Sequence, residues 1–199
     1  MEKLIAQLIW LGISYLIGAI PFGLIIAKSK QGIDLRQVGS GNIGATNVAR
    51  TCGFFYGLCT FLLDMLKGIF SVAIAFKLSA NPVFISLAAI SVILGHMYSV
   101  FLNYNGGKGV ATTIGIYLIL NPCALIISAI ISLLIIYLTG YVSLGSIILV
   151  MVMVIFMLFQ KGFIYFILSL IIMLLVINKH KDNVIRVLKG QENTWKKKI

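Results

Sequence analysis

The sequence predicts an all-α integral membrane protein of about seven transmembrane helices, one of them short or re-entrant, built as a single membrane domain over residues 1–199. Three observations carry that expectation. Only 16 Lys and Arg and 5 Asp and Glu occur among 199 residues, and mean hydropathy is +1.08. Charged residues make up 11%, less than half the share usual in a soluble domain, roughly a quarter. Residues 4–27, 78–107, 109–160 and 162–178 contain no Asp, Glu, Lys or Arg at all. Turn residues interrupt these runs at Ser79 to Pro82, Asn103 to Lys108, Asn121-Pro122, Thr139-Gly140 and Gln160 to Gly162.

The elements follow in order. The first run, 4–27, is too long for a signal h-region and shows no small-residue cleavage site near its end, so it is read as a retained helix. At about 1.5 Å per residue it reaches roughly 36 Å, enough for a hydrocarbon core of about 30 Å. Further helices are expected at 53–78, 82–102, 122–139, 141–160 and 162–178, with a cytoplasmic tail at 179–199. The apolar stretch 109–120 is too short to cross comfortably. It reads equally as half of a re-entrant hairpin, which is tolerated where protein or a water-filled cavity covers the backbone ends.

Sorting cations by loop sets the orientation. Lys28, Lys30, Arg36, Arg50, Lys108, Lys179, Lys181, Arg186, Lys189, Lys196, Lys197 and Lys198 fall on one side, and Lys3, Lys77 and Lys161 on the other. The positive-inside rule then predicts an external N-terminus and a cytoplasmic C-terminus. The Lys196 to Lys198 run fits attraction to anionic lipid. Glu2, Asp34, Asp64, Asp182 and Glu192 are the whole supply of carboxylates, so chemistry needing several of them is excluded. Cys52, Cys59 and Cys123 form no C-x-x-C pair and the two histidines are 84 positions apart, so no metal site is expected. No cofactor is called for.

Four polar groups gather on the predicted cytoplasmic side. In the Gly39 to Arg50 segment, Ser40 reads as a helix N-cap. A helix from there places Asn42, Thr46 and Arg50 at i, i+4 and i+8 as one polar stripe, with Asn47 nearby. Such a stripe either grips an anion through N–H groups and the Arg fork or merely meets water. Next, Gly106-Gly107-Lys108-Gly109 precedes an apolar helix. Its glycine N–H groups and ammonium suit a phosphate cradle, though a flexible loop with a topology lysine is the alternative. The Walker spacing is absent, so nucleotide binding is unsupported, and no nucleic-acid partner is expected. Ser143 and Ser146 open a later helix, where serines more often bond their own chain. His180 and Asn183 stand at i, i+3 at the tail start, with Val184, Ile185 and Leu188 suited to an interfacial helix. Inside the second long helix, Asp64 and Lys67 at i, i+3 read as a structural ion pair. An unpaired charge there costs about 2.5–3.5 kcal/mol. His96 reads as a hydrogen-bonded packing residue.

Gly39 to Asn47 with Arg50, Gly95-His96-Met97-Tyr98 through Gly106-Gly107-Lys108-Gly109-Val110-Ala111-Thr112, and Tyr141 to Ser146 together resemble the bacterial acyl-phosphate-dependent glycerol-3-phosphate acyltransferases, the PlsY family. The resemblance spans nearly the whole chain, including Asp64-x-x-Lys67-Gly68 and His180-x-x-Asn183. It implies a seven-helix enzyme of the bacterial inner membrane. That enzyme moves an acyl group from acyl phosphate to the sn-1 hydroxyl of glycerol 3-phosphate, yielding lysophosphatidate and phosphate. The family's functional residues fall on Ser40, Arg50, Lys108, Ser146, His180 and Asn183, with Gly106, Gly107 and Gly109 cradling phosphate. Acyl phosphate, glycerol 3-phosphate, membrane lipid and the enzyme that makes acyl phosphate are the partners it implies. Three positions depart from the usual pattern: Ser99 replaces a proline, Asn105 an aromatic or lysine, and Gly140 a basic residue.

The residues fit that implication independently. Two phosphate-bearing substrates, one with an apolar tail, require cations, N–H donors and access to the bilayer. The His-x-x-x-x-Asp pair of the other acyltransferase class is missing, since Phe101 follows His96 and Ile185 follows His180 at that spacing. A carrier for a phosphorylated metabolite is the rival, because broken helices and a midmembrane ion pair suit transporters. Polar residues on one side only speak against it. A lipid-binding scaffold without turnover is the third reading.

Overall fold

The structure, a computed structural model, describes residues 1–195; the Lys196 to Lys198 run lies outside the described residues. Every regular element among the described residues is helical. The chain divides into two compact units, Met1–Ile119 and Leu120–Ile199.

The first unit opens with α1 (Glu2–Ala19) and α2 (Phe22–Gln31). The expected continuous helix over 4–27 is thus corrected to two helices with a break at Ile20-Pro21. Proline has no amide hydrogen and pushes the residue before it out of the α region, and Ile20 is extended, with φ −61° and ψ 118°. Three carbonyls at the break are taken by distant side chains. Lys67 Nζ donates to Gly18 O at 3.2 Å and to Ile20 O, and Ser99 Oγ donates to Ala19 O at 2.6 Å. A buried ammonium and a buried hydroxyl thereby do what water does at an exposed helix end.

A loop follows, then α3 (Ala45–Cys52), α4 (Phe54–Leu78) and α5 (Pro82–Met97). Asn81 starts α5, its side chain accepting from Val83 N at 2.8 Å ahead of a proline at the first helical position. The helix expected over 82–102 stops at Met97 and resumes as one 3₁₀ turn, Val100–Leu102, because Ser99 accepts from Phe101 N at 3.2 Å. The proline usual at this position has no hydroxyl to give Ala19. Helices α1 and α5 meet backbone to backbone: a Cβ on Gly18 would lie 2.1 Å from Val92 O, and one on Gly95 2.0 Å from Tyr15 O. Such small-residue contacts replace hydrophobic driving force where lipid is as apolar as the helix surface.

The last element of this unit, α6 (Val110–Leu120), has 11 residues, roughly 16 Å at 1.5 Å each and about half a bilayer core. The second unit runs α7 (Pro122–Thr139), α8 (Val142–Gln160), α9 (Phe163–Lys179) and α10 (Lys181–Leu188). Gly140 and Gly162, at φ 81° and 86°, make the tight links that pack α7 on α8 and α8 on α9. Five segments are long and apolar enough to cross a membrane: Glu2–Gln31, Phe54–Leu78, Pro82–Leu102, Pro122–Thr139 and Val142–Gln160. α9 and α10 meet at a 59° bend and count as a sixth if the pair is one span. α6 is a shorter apolar helix, so the described residues give five or six spans against the expected count of about seven.

Candidate functional site

In the first unit the Gly39 to Arg50 segment is a loop entering a short helix. The reading of Ser40 as N-cap is corrected: the cap is Gly44, and Asn42 lies before the helix, its Oδ1 accepting from Gly44 N at 2.9 Å. An Asx turn holds this residue, so the stripe reduces to Thr46 and Arg50, both exposed and one turn apart on α3. Asn47 is the loop's scaffold. It is buried, accepts from Ser40 N at 2.9 Å and donates to Val38 O at 3.1 Å and Asn42 O at 2.8 Å. One amide thus fixes both sides of the Ser40 turn, leaving Ser40 exposed at its tip. Upstream, hydrogen bonds from the Arg36 side chain and backbone, with Lys28 close by, hold the Asp34 carboxyl well below the usual carboxylate range.

The glycine-lysine loop lies against the end of α5. Gly106 N donates to Met97 O at 3.1 Å and Gly107 N to His96 O at 3.0 Å. The reading of Gly106 and Gly107 as phosphate-cradling N–H donors is therefore corrected, because both amides satisfy the last carbonyls of a helix, groups that otherwise lack partners. Their missing side chains serve packing: a Cβ on Gly106 would meet His96 O at 2.1 Å, and one on Gly107 would meet His96 Nε2 at 2.2 Å. Gly109, at φ +78°, turns the chain into α6 and packs on Met97. Lys108 sits half-buried between these two anchored glycines, at the mouth of α6, whose first-turn amides point where an anion is favoured.

Beneath this loop lies the buried charge. Lys67 Nζ is 2.7 Å from Asp64 Oδ1, with both side chains nearly inaccessible, and stands 4.8 Å from the centre of the Phe22 ring. His96 Nδ1 is 3.7 Å from the same carboxylate oxygen.

The second unit carries its own cluster. His180 closes α9 and opens α10, and its Nδ1 lies 2.8 Å from Val176 O. A carbonyl only accepts, so Nδ1 carries the proton and Nε2 is the acceptor of the neutral ring. Asn183 Nδ2 donates to Glu192 Oε1 at 2.7 Å, Ser143 Oγ donates to the same oxygen at 2.9 Å, and Arg186 Nε donates to Oε2 at 2.8 Å. Glu192, whose side chain is 5% exposed, is the hub of this unit. Burial pushes its pKa up, but the hydrogen bonds from Asn183, Arg186 and Ser143 prevail, and the carboxyl sits below its ordinary value. Trp195 N donates to Gly140 O at 3.1 Å and its indole to Ile136 O at 3.2 Å, tying the tail to the α7–α8 corner. Ser143 is thus bound to the hub, while Ser146 donates to Val142 O at 2.9 Å within its own helix.

A family model described as glycerol-3-phosphate acyltransferase matches residues 8–190. The chain belongs to that family. Among glycerol-3-phosphate acyltransferases, that of Lawsonia intracellularis is 45% identical over 97% of this chain and 98% of its own length. The one from Desulfovibrio desulfuricans is 42% identical over 96% and 86%. A crystal structure of PlsY, an integral membrane glycerol 3-phosphate acyltransferase, in its glycerol 3-phosphate form superimposes with a TM-score of 0.92. The sequences are 38% identical, with 96% of each chain covered. The lysophosphatidic acid form gives 0.89 at 36% identity and the same coverage. This glycerol-3-phosphate acyltransferase is accordingly an all-helical integral membrane protein of the PlsY type. The residue that sequence reasoning passed over is Glu192. A carboxylate near a chain end resembles a solvated tail charge, and the only available hint was its scarcity among so many cations.

Proposed function

We propose that this protein transfers a fatty acyl group from acyl phosphate to the sn-1 hydroxyl of glycerol 3-phosphate, releasing phosphate and lysophosphatidate. Arg50 and Lys108 hold substrate phosphate, Ser40 stands on the loop that leads to the helix of Arg50, and Ser146, His180 and Asn183 orient the acceptor. The observation that carries this reading is the pairing of Lys108 with the start of α6. A cation and a helix N-terminus at one place, anchored by two packed glycines, suit a phosphate monoester.

Acyl phosphate is already activated, with phosphate as leaving group, so no acyl-enzyme is needed. The glycerol 3-phosphate hydroxyl attacks the carbonyl directly, the C–O bond to phosphate breaks, and the hydroxyl proton passes to a phosphate oxygen of the donor. The protein supplies orientation and donors for the developing oxyanion, each worth about 3–4 kcal/mol. His180 is the competing base, because histidine is the side chain whose ordinary titration range suits proton transfer near neutral pH. Its Nδ1 contact with Val176 suits a fixed orienting role equally well. We further assign the N-terminus to the outside and the loops carrying Arg50, Lys108 and the tail to the cytoplasm of a bacterial inner membrane, on the twelve-to-three distribution of cations. The enzyme that makes acyl phosphate is a partner on that side.

The test uses purified protein in lipid with acyl phosphate and glycerol 3-phosphate. Phosphate release requiring both substrates and matching lysophosphatidate formed is expected. Turnover with acyl thioesters but not acyl phosphate would overturn the donor assignment. Transport of glycerol 3-phosphate into vesicles without acylation would favour a carrier.

A further inference from the structure

Lys108 is asked to hold a phosphate at a defined place, and the loop that carries it is held against the end of α5. Two of the contacts that place its backbone lie one residue away on each side. Gly109 packs on the Met97 side chain, and Gly107 is pressed against the imidazole edge of His96, where a Cβ would lie 2.2 Å from Nε2, 3.0 Å from Cε1 and 3.1 Å from Cδ2. The same histidine accepts the Gly107 amide through its carbonyl at 3.0 Å. His96 therefore holds Gly107 from two directions, by its backbone and by its ring.

Asp64 lies beyond the other ring nitrogen. Nδ1 faces Asp64 Oδ1 at 3.7 Å, and Asp64 is kept in the membrane interior by Lys67 at 2.7 Å. A bare packing role is served as well by an apolar ring.

We propose that His96 is a positioning residue for Lys108, with its Nε2 edge as the stop against which Gly107 sits. This rests on the reading that Lys108 holds the phosphate of glycerol 3-phosphate. His96 touches no substrate in this scheme.

The test separates the two nitrogens. His96→Asn places an amide near Nδ1 and removes the edge facing Gly107, whereas His96→Gln places an amide near Nε2. Because a misplacement of about 1 Å costs on the order of 100-fold, His96→Asn should raise KM for glycerol 3-phosphate roughly 10 to 100-fold, with KM for acyl phosphate little changed. His96→Gln should stay within about five-fold of the parent. In a Lys108→Ala background, His96→Asn should add less than about two-fold, since a positioned group that is absent has nothing left to lose. Multiplicative losses in that double variant, or equal damage from Asn and Gln, would overturn the proposal and leave His96 as packing. His96→Ala removes the same edge and replaces Asn if that variant does not fold. Should Lys108→Ala leave KM for glycerol 3-phosphate unchanged, the assignment of Lys108 fails. The hold on the loop is then read by hydrogen exchange at the Gly106 and Gly107 amides. Exchange there should quicken at least about ten-fold in His96→Asn, and unchanged exchange would refute the hold itself.

Discussion

Replacing Glu192 by Gln keeps its size and one acceptor oxygen but turns the other into an amide. In the parent, Oε1 accepts from Ser143 and Asn183 while Oε2 accepts from Arg186 at 2.8 Å. Glutamine can keep the first pair. It then presents an N–H₂ to the Arg186 Nε–H, two donors facing each other. A charge-assisted bond is worth about 1.5–3 kcal/mol. The Arg186 side chain is 34% exposed, so solvent screens part of that and the lower end applies, about 1.5 kcal/mol or roughly ten-fold in the docking of the tail. Because Asn183 is oriented by the same carboxylate, activity should fall by a similar factor, together with a lower melting temperature in detergent. The second substitution supplies the control: Arg186→Gln with Glu192→Gln pairs two amides and should recover most of both losses. Parent-like melting and turnover in Glu192→Gln, or losses in the double variant equal to the sum of the singles, would show that Glu192 does not hold Asn183.

The same carboxylate gives a pH expectation. Its folded-state pKa lies below the unfolded one, so its contribution is complete above the ordinary carboxylate range and is lost as pH falls through the folded value; acid melting curves should be steeper for the parent than for Glu192→Gln. Arg50→Ala and Lys108→Ala should each lower turnover roughly 10 to 150-fold, far more than Lys197→Ala, and near-normal rates in folded protein would remove phosphate binding from those residues. Lys108→Arg should not rescue fully, because a guanidinium fork differs in size and shape from an ammonium. His180→Gln keeps hydrogen bonding without titrating and should retain substantial activity; a loss of about four orders of magnitude would make His180 the base instead. Single cysteines placed at residues 105 and 190 should resist an impermeant reagent added outside cells, and their labelling would reverse the topology.

What the sequence by itself determined is everything that depends on solvation and on local chemistry. The uncharged runs dictated membrane helices because a backbone in hydrocarbon must satisfy its own hydrogen bonds. The motifs around Ser40, Lys108 and His180 carried the family. Asp64 and Lys67 were legible as partners because helical spacing alone brings i and i+3 together. What only the tertiary structure decided is where polar groups spend their hydrogen bonds. The first apolar run read as one helix despite Pro21, and the donors that heal the break there, Lys67 and Ser99, lie 47 and 80 positions from the carbonyls they reach at Ile20 and Ala19. The amides of Gly106 and Gly107 looked available for a phosphate until the end of α5 took them, and Glu192 looked like a solvated tail charge until Ser143, Asn183 and Arg186 converged on it. Hydropathy and spacing record a residue's own preference for water or lipid and its neighbours within a turn. A buried hydrogen bond is settled instead by which distant group the packing brings within about 3 Å, and that distance exists only once the helices have met.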